Sequence, residues 1–195
     1  MQKLLKYIPI LLILIGLPLF SWYYLNKGTT MRRDAMKSLV IKSKVSNFQI
    51  LTDDDSTFTN QGLVDKRWFV LWLPQNADRE NMLGTCAKIY DLAKDDFQPH
   101  FFSIIGFTTG ENANSISELF SKKLNRKYWK NAFIEDEHFS KFGREIFGIP
   151  ESLISKSIVV LIDDKAQVRN YYNIEDPVVF KQLVREYPVF LSLKQ

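Results

Sequence analysis

Cysteine is almost absent: Cys86 is the only one in 195 residues. A single thiol excludes an intramolecular disulfide, a dithiol cycle and a cysteine-rich metal site. Glycine and proline are also few, with 8 and 7 residues, so the chain does not read as a low-complexity or disordered one. Neither a long basic tract nor a nucleic-acid motif stands behind the net charge of +4, and nucleic acid is not an expected partner. There is no internal repeat. What is present is apolar: 46% hydrophobic residues with plentiful aromatics, the composition of a packed globular domain.

From Tyr7 to Leu25 the chain carries no charge. At about 1.5 Å rise per residue, this run nearly matches the roughly 30 Å hydrocarbon layer of a bilayer. Pro9 falls in the first turn of such a helix. Pro18 would kink its interior, which membrane helices tolerate better than soluble ones. Trp22, Tyr23 and Tyr24 supply an aromatic belt at the far interface. Lys3 and Lys6 would suit a signal peptide, yet no small-x-small cleavage site follows and no nearby cysteine could take a lipid, so a retained anchor is expected. Lys27, Arg32, Arg33 and Lys37 after the run outnumber the two lysines before it, which by the positive-inside tendency favours a cytoplasmic domain. Residues 28–46 are polar and without clear periodicity and read as a tether.

Phe48 to Leu51, the acidic turn Asp53, Asp54 and Asp55, and the segment around Phe58 read as an opening hairpin. Trp68 to Leu73, WFVLWL, is a continuous apolar run expected to be a central strand buried on both faces. Met82, Leu83, Cys86, Ile89, Tyr90 and Ala93 recur at spacings of three and four and predict a helix from about Arg79 to Lys94. Phe101 to Phe107 reads as a strand. Ile116, Leu119, Phe120 and Leu124 mark a second helix, and Phe139, Phe142, Ile146 and Phe147 a third. Ser157 to Ile162 and Gln167 to Tyr172 are strands joined by the turn Asp163 to Ala166, and a helix from about Pro177 to Leu191 closes the chain. This order fits an α/β thioredoxin-like fold, a central mixed sheet flanked by helices, though other α/β sandwiches share the pattern.

Two stretches carry a resemblance to a known family. SIVVLIDDKAQVRNYYNIED is similar to the C-terminal signature of the Sco/SenC proteins, with Asp163, Arg169, Tyr171, Tyr172 and Asp176 matching. NFQILTDDDSTFTNQGLVDKRWFVLWL resembles that family's opening before its central strand. The resemblance covers about Ser46 to Leu193. It implies a thioredoxin-like domain (residues 47–195) behind an anchor (residues 1–27), held at the outer face of the bacterial inner membrane as a single-pass periplasmic protein. It also implies a part in cytochrome oxidase assembly, with the oxidase or its assembly factors as partners. The family delivers copper through Cys-x-x-x-Cys after the central strand and a histidine before a late strand, a soft donor set that suits the metal. Here Pro74 to Met82 holds no thiol: Asn76, Ala77, Asp78 and Met82 occupy the cysteine region, and Ser155 and Lys156 stand where the histidine belongs. Neither a cofactor nor a metal is expected, and the chain reads as redox-inactive.

The remaining candidates each have a plain reading beside the chemical one. Asp78 sits where the nucleophilic cysteine would be and can cap the following helix, or act with Glu80 as a carboxylate ligand. Cys86 reads as a small core residue; as a reactive thiol it would make the protein a tethered oxidoreductase or peroxiredoxin-like enzyme. His138, Met82 and Cys86 would serve an unconventional copper site only if they converge. His100 and His138 read as surface or helix-end histidines, and Lys122, Lys123, Arg126, Lys127 and Lys130 as the solvated end of a helix or as a patch for anionic lipid headgroups or an acidic partner. Trp68 and Trp72 are expected in the core.

Overall fold

WFVLWL forms a strand, Trp68–Leu73, buried at every residue. Side chains alternate across a strand, so Trp68, Val70 and Trp72 enter one apolar cluster and Phe69, Leu71 and Leu73 the other. This strand therefore divides the domain into two cores. The computed structural model describes residues 8–97, 99–108 and 127–193 and separates two units, Met1–Lys37 and Ser38–Gln195.

In chain order the elements are α1 (Ile8–Ser38), β1 (Ser43–Lys44), β2 (Gln49–Leu51), β3 (Thr57–Thr59) and a short 3-10 turn (Asn60–Leu63). They continue with β4 (Trp68–Leu73), α2 (Arg79–Phe97), β5 (His100–Phe107), β6 (Trp129–Glu135) and α3 (Asp136–Phe147). The last are β7 (Ile158–Ile162), β8 (Gln167–Asn173) and α4 (Pro177–Ser192). The six-stranded sheet runs β1-β8-β7-β4-β5-β6, with the β2–β3 hairpin apart from it. β4, β5 and β6 are mutually parallel, whereas β7, β8 and β1 pair antiparallel. The sheet is mixed, with β4 central, as the sequence reading expects.

Residues 28–46, read from the sequence as a tether, begin as a continuation of helix α1. The helix continues through Gly28 to Ser38, and the Thr29 and Thr30 hydroxyls donate back to the Asn26 carbonyl. Residues 43–44 then form β1 against β8. Among the described residues, no helix is long and apolar enough to cross a membrane.

Strand β6 is absent from the sequence reading, which assigned Lys130 to a solvated helix end. Its alternation is broken by Lys130 and Asn131, because the hairpin covers this edge with polar groups. Thr52 bridges to Ala132, the Asp53 amide donates to the Asn131 carbonyl at 2.9 Å, and Asn131 Nδ2 donates to Asp53 Oδ2 at 3.0 Å. Lys130 Nζ lies 3.5 Å from Asp54 Oδ2. Hydrogen bonds from the Ser56 and Thr52 hydroxyls hold the Asp54 carboxyl well below the usual carboxylate range. Trp129 is core, its indole N–H donating to Ser103 Oγ at 2.6 Å. The helix expected from Ile116, Leu119, Phe120 and Leu124 lies outside the described residues, as do Lys122, Lys123 and Arg126.

Candidate functional site

Where a thioredoxin-type site belongs, at the carboxyl end of β4, the chain turns through Pro74 to Asp78 and enters α2. The turn closes with the Ala77 amide on the Pro74 carbonyl at 3.0 Å. Asp78 Oδ1 accepts the Asn81 N–H at 3.1 Å, and its carbonyl accepts the Met82 N–H at 2.9 Å. The cap satisfies an orphan helix donor with a negative group at the positive end of the dipole. Arg79 fastens the helix start to β5 by donating to the Gly106 carbonyl at 2.6 Å. Gly106 is needed there: an added Cβ would sit 3.1 Å from the Gln75 nitrogen and 3.3 Å from the Phe139 ring. Asp78→Ala is expected to cost about 1 kcal/mol of unfolding free energy by the usual worth of a cap; urea denaturation checks it, and no change would mean the cap is idle.

Trp72 pairs with Ile158, which brings the segment before β7 alongside this turn. Trp72 Nε1 donates to the Ile154 carbonyl at 2.9 Å, and its ring stacks on Phe139 at 3.7 Å between centroids. Ser155 and Lys156 are exposed. Lys156 Nζ faces Glu175 Oε2 at 3.9 Å, while Glu175 Oε1 accepts the Ser157 N–H at 2.8 Å. The family's copper position thus offers carboxylates, amides and an ammonium group. These do not fit a metal that takes thiolates and imidazole.

The other chemical candidates do not come together. Cys86 is fully buried among Met82, Leu83 and Ile89 on the α2 face of the sheet, and burial pushes its thiol far above the ordinary range. Thiolates are the reactive form, so this is an inert core cysteine. His138 is exposed on α3 with Nε2 3.1 Å from Glu137 Oε1. Its neighbour Phe139 belongs to the opposite core, so the sheet stands between His138 and both Met82 and Cys86, and the three-ligand convergence is overturned. His100 is not a surface histidine. It is half-buried between Trp68 and Tyr128, with ring centroids at 5.1 and 5.7 Å, and burial followed by the Lys66 charge lowers its pKa.

Glu135, Glu137 and His138 form a donor set missed in the sequence, with ligand atoms within 4.8 Å of one another and all three residues exposed. Glu137 in the first turn of α3 and Glu135 at its N-cap answer the helix dipole, which accounts for both carboxylates without a metal.

The five family-matching residues are all structural fasteners. Asp163 is 3% exposed; its Oδ1 accepts the N–H groups of Lys165 at 3.0 Å and Gln167 at 2.8 Å, and its Oδ2 takes Arg169 Nε at 2.7 Å. Arg169 also donates to the Leu39 carbonyl at 3.3 Å. The Tyr171 hydroxyl shares its proton between the Phe147 and Gly148 carbonyls at 2.8 and 2.9 Å. It thereby satisfies the end of α3, where Gly148 turns left-handed at φ 63°; burial raises its pKa. Tyr172 donates to Glu186, which also accepts from Ser38 and from Gln182 Nε2 at 2.9 Å. Asp176 caps α4 through the Val178 N–H at 2.8 Å. Glu186 was missed in the sequence; its signal is a carboxylate on the apolar face set by Leu183 and Phe190.

No family model and no curated protein sequence matches the chain; solved structures do. A SCO1/SenC family lipoprotein from Bacillus anthracis is 19% identical, with a TM-score of 0.57 over 75% of this chain and 94% of that one. BsSco, a member of the Sco family of cytochrome c oxidase assembly proteins, gives 0.62 at 14% identity over 78% and 95%. The thioredoxin domain of a thiol-disulfide oxidoreductase from Bacteroides vulgatus gives 0.53 at 10% identity over 76% and 98%. Sco proteins thus stand among the structural neighbours of a chain whose sequence already resembles theirs, and the unit from Ser38 onward has the thioredoxin-like fold.

Proposed function

We propose that this is a membrane-anchored Sco-like protein that keeps the family's scaffold without its thiol and copper chemistry and acts through protein contacts in oxidase assembly or a related envelope process. The carrying observation is the contrast between two sets of residues on one fold. Asp163, Arg169, Tyr171, Tyr172 and Asp176 keep the positions and supply the fastening, whereas the chemical positions hold the Asp78 cap and the Lys156–Glu175 pair. A site rebuilt from a helix cap and an ion pair serves as surface, not as a reaction centre. Neither the tethered enzyme using Cys86 nor the unconventional copper chaperone has support in the geometry.

The anchor rests on the sequence, on the uncharged run Tyr7–Leu25, since no described helix qualifies as a membrane span, and the domain is periplasmic despite the four cations that follow the run. Large domains translocate largely regardless of flanking charge. A lipoprotein and a member of a cytochrome c oxidase assembly family among the structural neighbours support this side of the membrane and this process.

Membrane fractionation tests the anchor. The full chain is expected to stay with membranes through high salt and alkaline carbonate, and its domain to be cut by protease added to spheroplasts. Release by carbonate would remove the anchor; protection of the domain would reverse the topology. Purification in mild detergent is expected to recover oxidase subunits or assembly factors with the full chain, and their absence would overturn the partner.

A further inference from the structure

The cations after the aromatic belt lie on a continuous helix, and that continuity fixes where each stands. Helix α1 runs unbroken from Ile8 to Ser38, and Lys27, Arg32, Arg33 and Lys37 are all exposed on it, with Asp34 the only acidic residue among them. At about 1.5 Å per residue, Lys27 lies roughly 3 Å beyond Leu25, Arg32 and Arg33 roughly 11–12 Å, and Lys37 roughly 18 Å. A bilayer of about 40–45 Å around a 30 Å core leaves roughly 5–8 Å of headgroup layer on each side, and the surface potential reaches about another Debye length, roughly 8–10 Å. Lys27 therefore falls inside the headgroup layer, Arg32 and Arg33 within its field, and Lys37 at or past its edge.

Azimuth decides what kind of partner suits these charges. At about 100° per residue, Lys27, Arg32 and Arg33 point in directions roughly 0°, 140° and 240° around the axis. They ring the helix. A protein partner docks on one face, whereas lipids surround a spanning segment on every side. We infer that Lys27 among the headgroups, with Arg32 and Arg33 in the field just outside them, draws anionic phospholipids into a collar around the helix beyond the aromatic belt of Trp22, Tyr23 and Tyr24. This rests on the membrane reading above.

The test reconstitutes the full chain in phosphatidylcholine vesicles and compares spin-labelled phosphatidylglycerol with spin-labelled phosphatidylcholine in the motionally restricted lipid shell. The wild-type chain is expected to favour phosphatidylglycerol about fivefold at low salt, the factor one cation at the headgroup level supplies, and to lose most of the preference in high salt. The triple variant Lys27→Gln, Arg32→Gln, Arg33→Gln is expected to bring the ratio to about one. Lys37→Gln alone should leave it nearly unchanged. Equal association of the two lipids with the wild-type chain, or a preference that survives the triple substitution, would overturn the collar. Because the restricted shell itself reports the spanning helix, its absence with both lipids would overturn the anchor instead, so the two failures are distinguishable.

Discussion

Asp163→Ala is expected to lower the stability of the domain by about 3 kcal/mol, within the range for breaking a buried charge pair. The carboxylate performs three tasks: two backbone N–H groups of the β7–β8 turn end on Oδ1 and the Arg169 guanidinium on Oδ2. Removing it strands two donors, at about 1–3 kcal/mol each when buried, and leaves a mostly buried guanidinium without its counter-charge. Arg169 is 23% exposed at its side chain, so water screens part of that last loss and keeps the expectation at the lower end. For a domain of this size the effect corresponds to a drop in Tm of roughly 6–12 °C. Asp163→Asn, which retains an oxygen for the turn, should lose distinctly less. Thermal unfolding followed by circular dichroism checks both variants; a loss under about 1 kcal/mol for Asp163→Ala would show that the turn holds itself.

That experiment also bears on the difference between a motif and a site. In the sequence, Asp163, Arg169, Tyr171, Tyr172 and Asp176 carry the family resemblance. In the structure each closes a turn, a helix end or a strand pair. They are recognisable because the geometry they serve admits few alternatives: a carboxylate two and four residues before the amides it accepts, a tyrosine long enough to reach the end of α3. Fasteners of this kind report fold, and chemistry rests on residues elsewhere.

Legibility followed burial. β4 is buried at all six residues, so its apolar run is unbroken and its boundaries were readable to the residue; the apolar stripe of α2 was equally plain. Strand β6 escaped because its edge is closed by Asp53 and Asp54 from a distant hairpin. That tertiary pairing puts Lys130 and Asn131 into a strand whose own pattern argues against one. The helical continuation from Gly28 to Ser38 escaped for a related reason: glycine and two threonines are poor helix formers, and the back-bonds of Thr29 and Thr30 to Asn26 do not show as periodicity. Glu186 is the clearest omission at the level of side chains. A carboxylate on an apolar face was legible as an anomaly, but its partners lie on other elements, Tyr172 on the preceding strand and Ser38 148 residues away.

Cys86 is expected to react with a water-soluble disulfide reagent at least about a thousandfold more slowly in the native protein than in urea. The thiol is fully buried in the core beneath α2, and burial raises its pKa, so the reactive thiolate is both scarce and out of reach. Reaction then waits on opening of the core, which native domains populate at about one part in a thousand or far less. Raising the pH from neutral toward the ordinary thiol range should speed the unfolded chain strongly and the native one only through opening. The same residue bounds redox and metal behaviour. One cysteine supplies no two-electron couple within a chain, and His138 across the sheet cannot join it as a soft ligand. The full chain in mild detergent is therefore expected to retain no stoichiometric copper after dialysis against a moderate chelator, in either oxidation state. Cys86→Ala is expected to leave partner recovery intact and to cost only about 1 kcal/mol, the scale of a small buried side chain. Fast native labelling, or one equivalent of copper lost on Cys86→Ala or His138→Ala, would return chemistry to the scaffold.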